Sequence, residues 1–145
     1  MQEGEVTERT LVLVKPSAVV RGLVGEVISR MERRGLTIKV ARMLMVTPEM
    51  AARHYAEHKG KDFYEALVVH ITSGPVFAMV VEGPSAVKVV RAMMGATNPL
   101  EAAPGTVRGD FGLDTRRNVV HSADSLATAE REIAIFFPEG DELAS

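Results

Sequence analysis

Short apolar runs alternate along the chain with helical repeats, and this alternation sets out its elements. Leu11-Val12-Leu13-Val14 is a continuous β-branched-rich run that stops at Lys15-Pro16. Unbroken apolar character over so few residues predicts a strand buried on both faces. Val24, Val27, Ile28 and Met31 then recur at helical spacing with Arg and Glu between them, and Gly35 stands where a C-terminal cap belongs. Leu36 to Val46 is mostly apolar, interrupted by Lys39 and Arg42, and predicts a second strand. Thr47-Pro48-Glu49 is a helix start, a cap followed by proline in the first turn, and the helix is expected to run to about His58. Another helix follows Gly60, through Phe63 and Leu67, and Ser73-Gly74-Pro75 breaks the chain. Val76 to Val81 predicts a third strand, and Gly83-Pro84-Ser85 turns into a helix carrying Val87, Val90 and Met94. From Gly95 to Gly112 the chain is rich in Gly, Pro, Thr and Asn. Loops of that length in a compact domain are usually functional. Val119-Val120 predicts a short fourth strand ending at His121, and Asp124-Ser125 caps a final helix with Leu126, Ala129, Ile133 and Phe136 on its buried face.

The order β-α-β-α-α-β-α-loop-β-α implies an α/β (α+β) sandwich. Two βαβ-like halves on four strands fit a ferredoxin-like βαββαβ arrangement, a four-stranded antiparallel sheet with helices packed on it. At 145 residues the chain is expected to form one domain, residues 1–145. The formal charge is -2 and charges of both signs are interspersed, apart from a mildly acidic end at Glu139-Gly140-Asp141-Glu142. This argues against nucleic acid as a main partner. There is no cysteine, which excludes a disulfide scaffold and a thiolate metal site. Met1 to Arg9 is polar without an apolar stretch behind a basic start, and no run approaches the roughly 20 apolar residues a membrane helix needs. A cytoplasmic protein without membrane contact is expected.

The chain contains none of the usual glycine-rich nucleotide loops and no His-Glu-x-x-His or calcium-loop pattern. A nucleotide site would have to be built from side chains. His121, at a strand end before a helix, is by default a satisfied structural histidine. Its functional reading is a nucleophile, because a neutral imidazole attacks phosphorus well and the helix start offers N–H groups to an anion. Glu132 on that helix is either a solvated charge or the carboxylate that fixes the imidazole's tautomer. Arg91, Thr97 and Arg108 flank the long loop. Singly they read as surface residues; together they make a phosphate clamp, since the guanidinium fork matches phosphate oxygens. Tyr55 and His58, three apart, share a helix face, with Phe63 on the next helix. By default they are core packing and a helix surface, which for Phe63 alone is the stronger reading; the functional reading is phosphate contact from His58 and base stacking on Phe63. Lys15 ends the first strand, where α/β proteins bind ligands. Asn118 is either a sugar-binding residue or a turn residue.

Several segments resemble nucleoside diphosphate kinases in order and over essentially the whole chain. They are Glu8-Arg9-Thr10-Leu11 through Lys15-Pro16, Arg21-Gly22-Leu23-Val24-Gly25-Glu26, His54-Tyr55-Ala56-Glu57-His58 and Ile71-Thr72-Ser73-Gly74-Pro75. Met93-Met94-Gly95-Ala96-Thr97-Asn98-Pro99, Pro104-Gly105-Thr106-Val107-Arg108-Gly109-Asp110-Phe111 and Asn118-Val119-Val120-His121 complete the match. The resemblance implies a ferredoxin-like core and ping-pong transfer of a γ-phosphoryl group from a nucleoside triphosphate, typically ATP, through His121 to a nucleoside diphosphate. It also implies Mg2+ bound to the nucleotide phosphates rather than to a protein metal site. By position, Lys15 and Asn118 would meet the sugar 3′-hydroxyl, with Lys15 also near the transferred group. Tyr55 would lie beside the phosphates, with His58, Arg91, Thr97 and Arg108 holding them. Phe63 and Leu67 would sandwich the base, and Glu132 would orient His121. A homo-oligomer is implied, a hexamer through the Gly95 to Gly112 loop being favoured over a tetramer.

The chain departs from the family at His121-Ser122-Ala123-Asp124. The serine that supports phosphate and glutamate is replaced by Ala123, while Ser122 stands one place early. Losing one neutral hydrogen bond costs about 0.5–1.5 kcal/mol, which slows transfer by roughly three- to tenfold. The competing reading is a catalytically weakened nucleotide-binding assembly protein of the same family. Thr115 and Arg116 fall near the mouth of the base pocket.

Overall fold

The computed structural model describes residues 6–139; most of the acidic end and the first five residues lie outside them. Four strands form one sheet: β1 (Thr7–Val14), β2 (Thr37–Leu44), β3 (Val76–Pro84) and β4 (Val120–Ser122). They lie in the order β2-β3-β1-β4 with every pair antiparallel, which is the ferredoxin-like arrangement.

Strand β1 is central, and its apolar run explains why. Val12 and Val14 face a core with α2 (Val24–Arg33) and α5 (Ala86–Met94), through Val27, Met31, Val90 and Met94. Leu11 and Leu13 face the other core with α3 (Pro48–His54), α4 (Tyr64–Ile71) and α7 (Leu126–Phe136), through Ala51, Ile71, Ile135 and Phe136. Successive strand side chains point to opposite faces, so a strand covered on both sides must be apolar at every position.

The caps fall where the residues demand them. Thr47 accepts the Met50 amide with Pro48 following, and Ser125, rather than Asp124, accepts the Thr128 amide at the start of α7. Gly35 has φ 97°; its N–H reaches the Glu32 carbonyl and the Leu36 N–H reaches that of Met31, closing α2 in a Schellman turn. In β2 the register slips between Ile38 and Val40, so the interrupting Lys39 sits at a bulge with its ammonium 3.9 Å from Glu82.

Four expectations are corrected. The helix from Pro48 ends at His54, and Ala56–His58 is a separate 3-10 turn, so Tyr55 and His58 do not share one helix face. An extra helix, α1 (Pro16–Val20), follows β1 directly. The Gly95 to Gly112 segment is not bare loop; it holds the 3-10 turn Pro99–Glu101 and a further helix, α6 (Val107–Phe111), capped by Thr106. On α7, Leu126 is exposed and Ile133 only half-buried, while Glu132 and Ile135 are buried with Ala129 and Phe136. Among the described residues no helix is long and apolar enough to cross a membrane.

Candidate active site

His121 lies inside β4 rather than at its end, paired with Leu13 of β1. Directly paired residues project to the same face of a sheet, so its ring points, like Leu13, toward α3 and α7. There Glu132, one turn from the end of α7, meets it. Nε2 lies 3.0 Å and 2.9 Å from the two carboxylate oxygens. A carboxylate accepts, so Nε2 carries the proton and the Nδ1 lone pair is the nucleophilic one. Glu132 is 3% exposed and the His121 side chain 25%. The imidazole therefore opens outward while its anchor is buried behind it.

The turn before His121 is strained. Val119 has φ 75° and the Val120 N–H bonds to the Asn118 carbonyl, 2.8 Å, a tight γ-turn that a β-branched residue adopts only under constraint. The constraint is visible. Arg108 reaches from α6 and donates to the carbonyls of Asn118 (3.3 Å), Val120 (2.8 Å) and Gly95 (2.8 Å). The Lys15 N–H takes the Val119 carbonyl at 2.9 Å. Three of the five guanidinium N–H groups are thus spent on the scaffold. Arg108 is a brace as well as a candidate phosphate ligand.

Lys15 follows β1 and is buried; its ammonium donates to Asn118 Oδ1 at 2.6 Å. Asn118 Nδ2 in turn donates to the Thr97 carbonyl, 3.1 Å. Burial first, then the Arg108 charge, lowers the Lys15 pKa to about 8. Arg108 is itself lowered to about 10 by burial and by Arg91. Burial, with Lys15, Arg108 and Arg91 nearby, pushes the His121 imidazole well down and keeps it neutral. Burial pushes Glu132 up to about 6. Tyr55 is buried and its phenol is driven upward by burial and by Glu132.

One cleft of about 690 Å³ brings every candidate to a common wall: Lys15, Tyr55, His58, Phe63, Leu67, Arg91, Thr97, Arg108, Asn118, His121 and Glu132. Lys15, Arg108 and Arg91 surround His121 closely enough for their charges to act on it. Phe63 stands at the start of α4, 48% exposed, with its ring 5.2 Å from that of His58. Leu67 is four residues on, so the two stand side by side on one wall rather than sandwiching a ligand. Thr115, Arg116 and Arg131 also line the cleft. Ser122 is buried in β4, and Ala123 is buried against Val87 and Ala129.

The residue that sequence reasoning passed over is His54. Its side chain is 0% exposed, its ring stands edge-on to His121 with centroids 4.5 Å apart, and Nδ1 lies 3.5 Å from Glu132 Oε2. Burial and the neighbouring His121 lower its pKa to about 3. Only tertiary packing joins α3 to α7, so no local spacing could reveal the pair; the His54-Tyr55-Ala56-Glu57-His58 segment was the available signal.

Comparison with known proteins finds one family over nearly the whole chain. A sequence model described as nucleoside diphosphate kinase matches residues 8–142. The chain is 64% identical over 138 residues to a nucleoside diphosphate kinase of Archaeoglobus fulgidus, covering 95% of this chain and 91% of that protein. Against one of Moorella thermoacetica it is 60% identical over 130 residues, 90% and 94% of the two chains. Among solved structures, a halophilic nucleoside diphosphate kinase from Halobacterium salinarum in complex with CDP matches with a TM-score of 0.89 at 49% identity, covering 91% and 88%. One from Encephalitozoon cuniculi matches at 0.91 and 36% identity, covering 95% and 92%.

Proposed function

The chain belongs to the nucleoside diphosphate kinase family, and from that premise we propose that His121 is the residue that carries the phosphoryl group. It is a phosphotransferase acting on nucleotides. The observation that carries the assignment is the fixed orientation of His121: Nε2 is tied to Glu132 while the ring opens into a cation-lined cleft.

In the first half-reaction the Nδ1 lone pair attacks the γ-phosphorus of a nucleoside triphosphate. The bond from that phosphorus to the bridging oxygen breaks and the diphosphate departs. The second half reverses these bonds onto another diphosphate. Such transfer needs positioning and charge neutralisation above all. Lys15, His58, Arg91, Thr97 and Arg108 serve the phosphates, with Tyr55 beside them. Lys15 and Asn118 serve the sugar hydroxyl, and Phe63 and Leu67 offer the base an apolar wall. Glu132 sets the tautomer and steadies the charge that the ring acquires.

Mg2+ belongs with the nucleotide. The one His/Asp/Glu cluster of metal-holding geometry among the described residues contains two imidazoles, a poor set for a hard cation that prefers oxygen. Bound to the phosphates, the ion would neutralise charge as the bond breaks. We read residues 1–145 as one cytoplasmic domain that assembles into a homo-oligomer, a hexamer through the Gly95 to Gly112 segment being favoured over a tetramer. Initial-velocity kinetics test the exchange. Varying ATP at several fixed diphosphate levels should give parallel double-reciprocal lines with both purine and pyrimidine acceptors. Intersecting lines would mean direct transfer without a phosphoenzyme.

A further inference from the structure

We propose that His54, His121 and Glu132 together form a binding site for a borderline-soft divalent ion, Zn2+ or its spectroscopic analogue Co2+, and that the bound ion shuts off the nucleophile. The ligand atoms of the three residues lie within 4.8 Å of one another. Glu132 Oε2 is 2.9 Å from His121 Nε2 and 3.5 Å from His54 Nδ1. Around a tetrahedral zinc with bonds of about 2.0–2.1 Å, neighbouring ligand atoms sit about 3.3 Å apart. The two observed separations bracket that value, and the third, between the two imidazoles, lies within 4.8 Å and must shorten on binding. Two imidazoles and a carboxylate are a donor set suited to zinc and unsuited to Mg2+.

His54 supplies the independent observation. It is fully buried, and neither ring nitrogen has a hydrogen-bond partner. An orphaned buried polar group costs about 1–3 kcal/mol, so such groups call for an explanation. Here the lone ring faces a carboxylate and a second imidazole. His121, 25% exposed, opens the cluster to the cleft and leaves a fourth position to water. The chain has no cysteine and only two other histidines, His58 and His70, so few competing ligands exist.

The consequence follows from proton bookkeeping on one ring. Nε2 of His121 now donates to Glu132; to bind a metal it must present a lone pair instead. The imidazole proton then resides on Nδ1, the attacking nitrogen, which loses the lone pair needed for phosphorus. This inhibitory step rests on the proposed role of His121, whereas the binding step does not.

The full chain, free of nucleotide, is dialysed against chelator-buffered Zn2+, with Co2+ absorption reporting tetrahedral nitrogen ligation. One ion per chain is expected. His54→Gln should weaken binding by more than the roughly 10–100-fold that loss of an outer-shell partner costs. The near-isosteric Glu132→Gln should do the same and covers the case in which the first variant does not fold. His70→Gln should bind as the parent does. Zinc-loaded enzyme given Mg2+ and γ-labelled ATP should lose phosphorylation in proportion to occupancy and regain it on chelation. No bound ion, equal affinity in the parent and both site variants, or full labelling at full occupancy would each overturn the proposal. Failure of the zinc-free parent to label would instead sink the role given to His121 and leave binding to decide the site.

Discussion

Replacing Glu132 by Gln isolates the carboxylate's charge, because size and one acceptor oxygen are kept. In the parent, His121 Nε2 is 2.9 Å and 3.0 Å from two oxygens of a group that is 3% exposed, so solvent screens the interaction little. A hydrogen bond to a charged group is worth about 1.5–3 kcal/mol and a neutral one about 0.5–1.5 kcal/mol. The difference of about 1–1.5 kcal/mol bears on the step in which the imidazole gains charge, a loss of roughly 5- to 13-fold in rate. The amide can also turn its NH2 toward Nε2, which favours the tautomer with Nδ1 protonated and deepens the loss. Glu132 sits behind the imidazole, so kcat should fall with KM little changed. Stability should move the other way. Burial raises the Glu132 carboxyl from 4.5 to about 6, so the native state prefers its neutral form. The stability this group contributes is complete below about 4.5 and lost as pH rises through about 6. At neutral pH the neutral amide avoids that cost, and Tm should be unchanged or higher. Single-turnover labelling with ATP in excess reads the chemical step, and calorimetry reads Tm. An unchanged rate, or an effect confined to KM, would refute the reasoning.

Three further outcomes are expected. Lys15 loses its charge above about 8, so kcat/KM should fall as pH rises through that value, and Lys15→Arg should carry the limb to higher pH; a limb that does not move excludes Lys15 as its source. A Cβ at Gly109 would lie 2.1 Å from the Ala103 carbonyl oxygen, backbone that cannot rotate away, so Gly109→Ala should cost about 1–3 kcal/mol and lower Tm by several degrees; an unaltered Tm contradicts this. Ala123→Ser should quicken His121 phosphorylation by roughly three- to tenfold if the missing hydroxyl limits the step, and a rate equal to the parent's shows that it does not.

The sheet and its central strand were legible because burial on both faces leaves an unmistakable apolar run at Leu11 to Val14. The caps at Thr47, Ser125 and Gly35 were legible because each answers a local backbone need. Helix α1 was hidden because Pro16 reads equally as the end of a strand and the first turn of a helix, and five residues carry no periodicity. Helix α6 was hidden in a glycine- and proline-rich stretch, with Thr106 as its one cue. The positive φ of Val119 comes from tertiary constraint, Arg108 clasping carbonyls on either side. For the site, position alone left His121 an ordinary histidine. The long motifs in register singled it out and gave Glu132 as its orienting partner, and the structure adds the burial and geometry of that contact and His54 beside it.

The central claim concerns one atom, Nδ1 of His121. Rapid-quench incubation with γ-labelled ATP and Mg2+ should place acid-labile, base-stable phosphate on the parent chain at one per active chain, discharged by any added nucleoside diphosphate. His121→Ala should carry none while remaining folded. Label retained on His121→Ala, or a parent that exchanges phosphate without ever being labelled, would contradict the account.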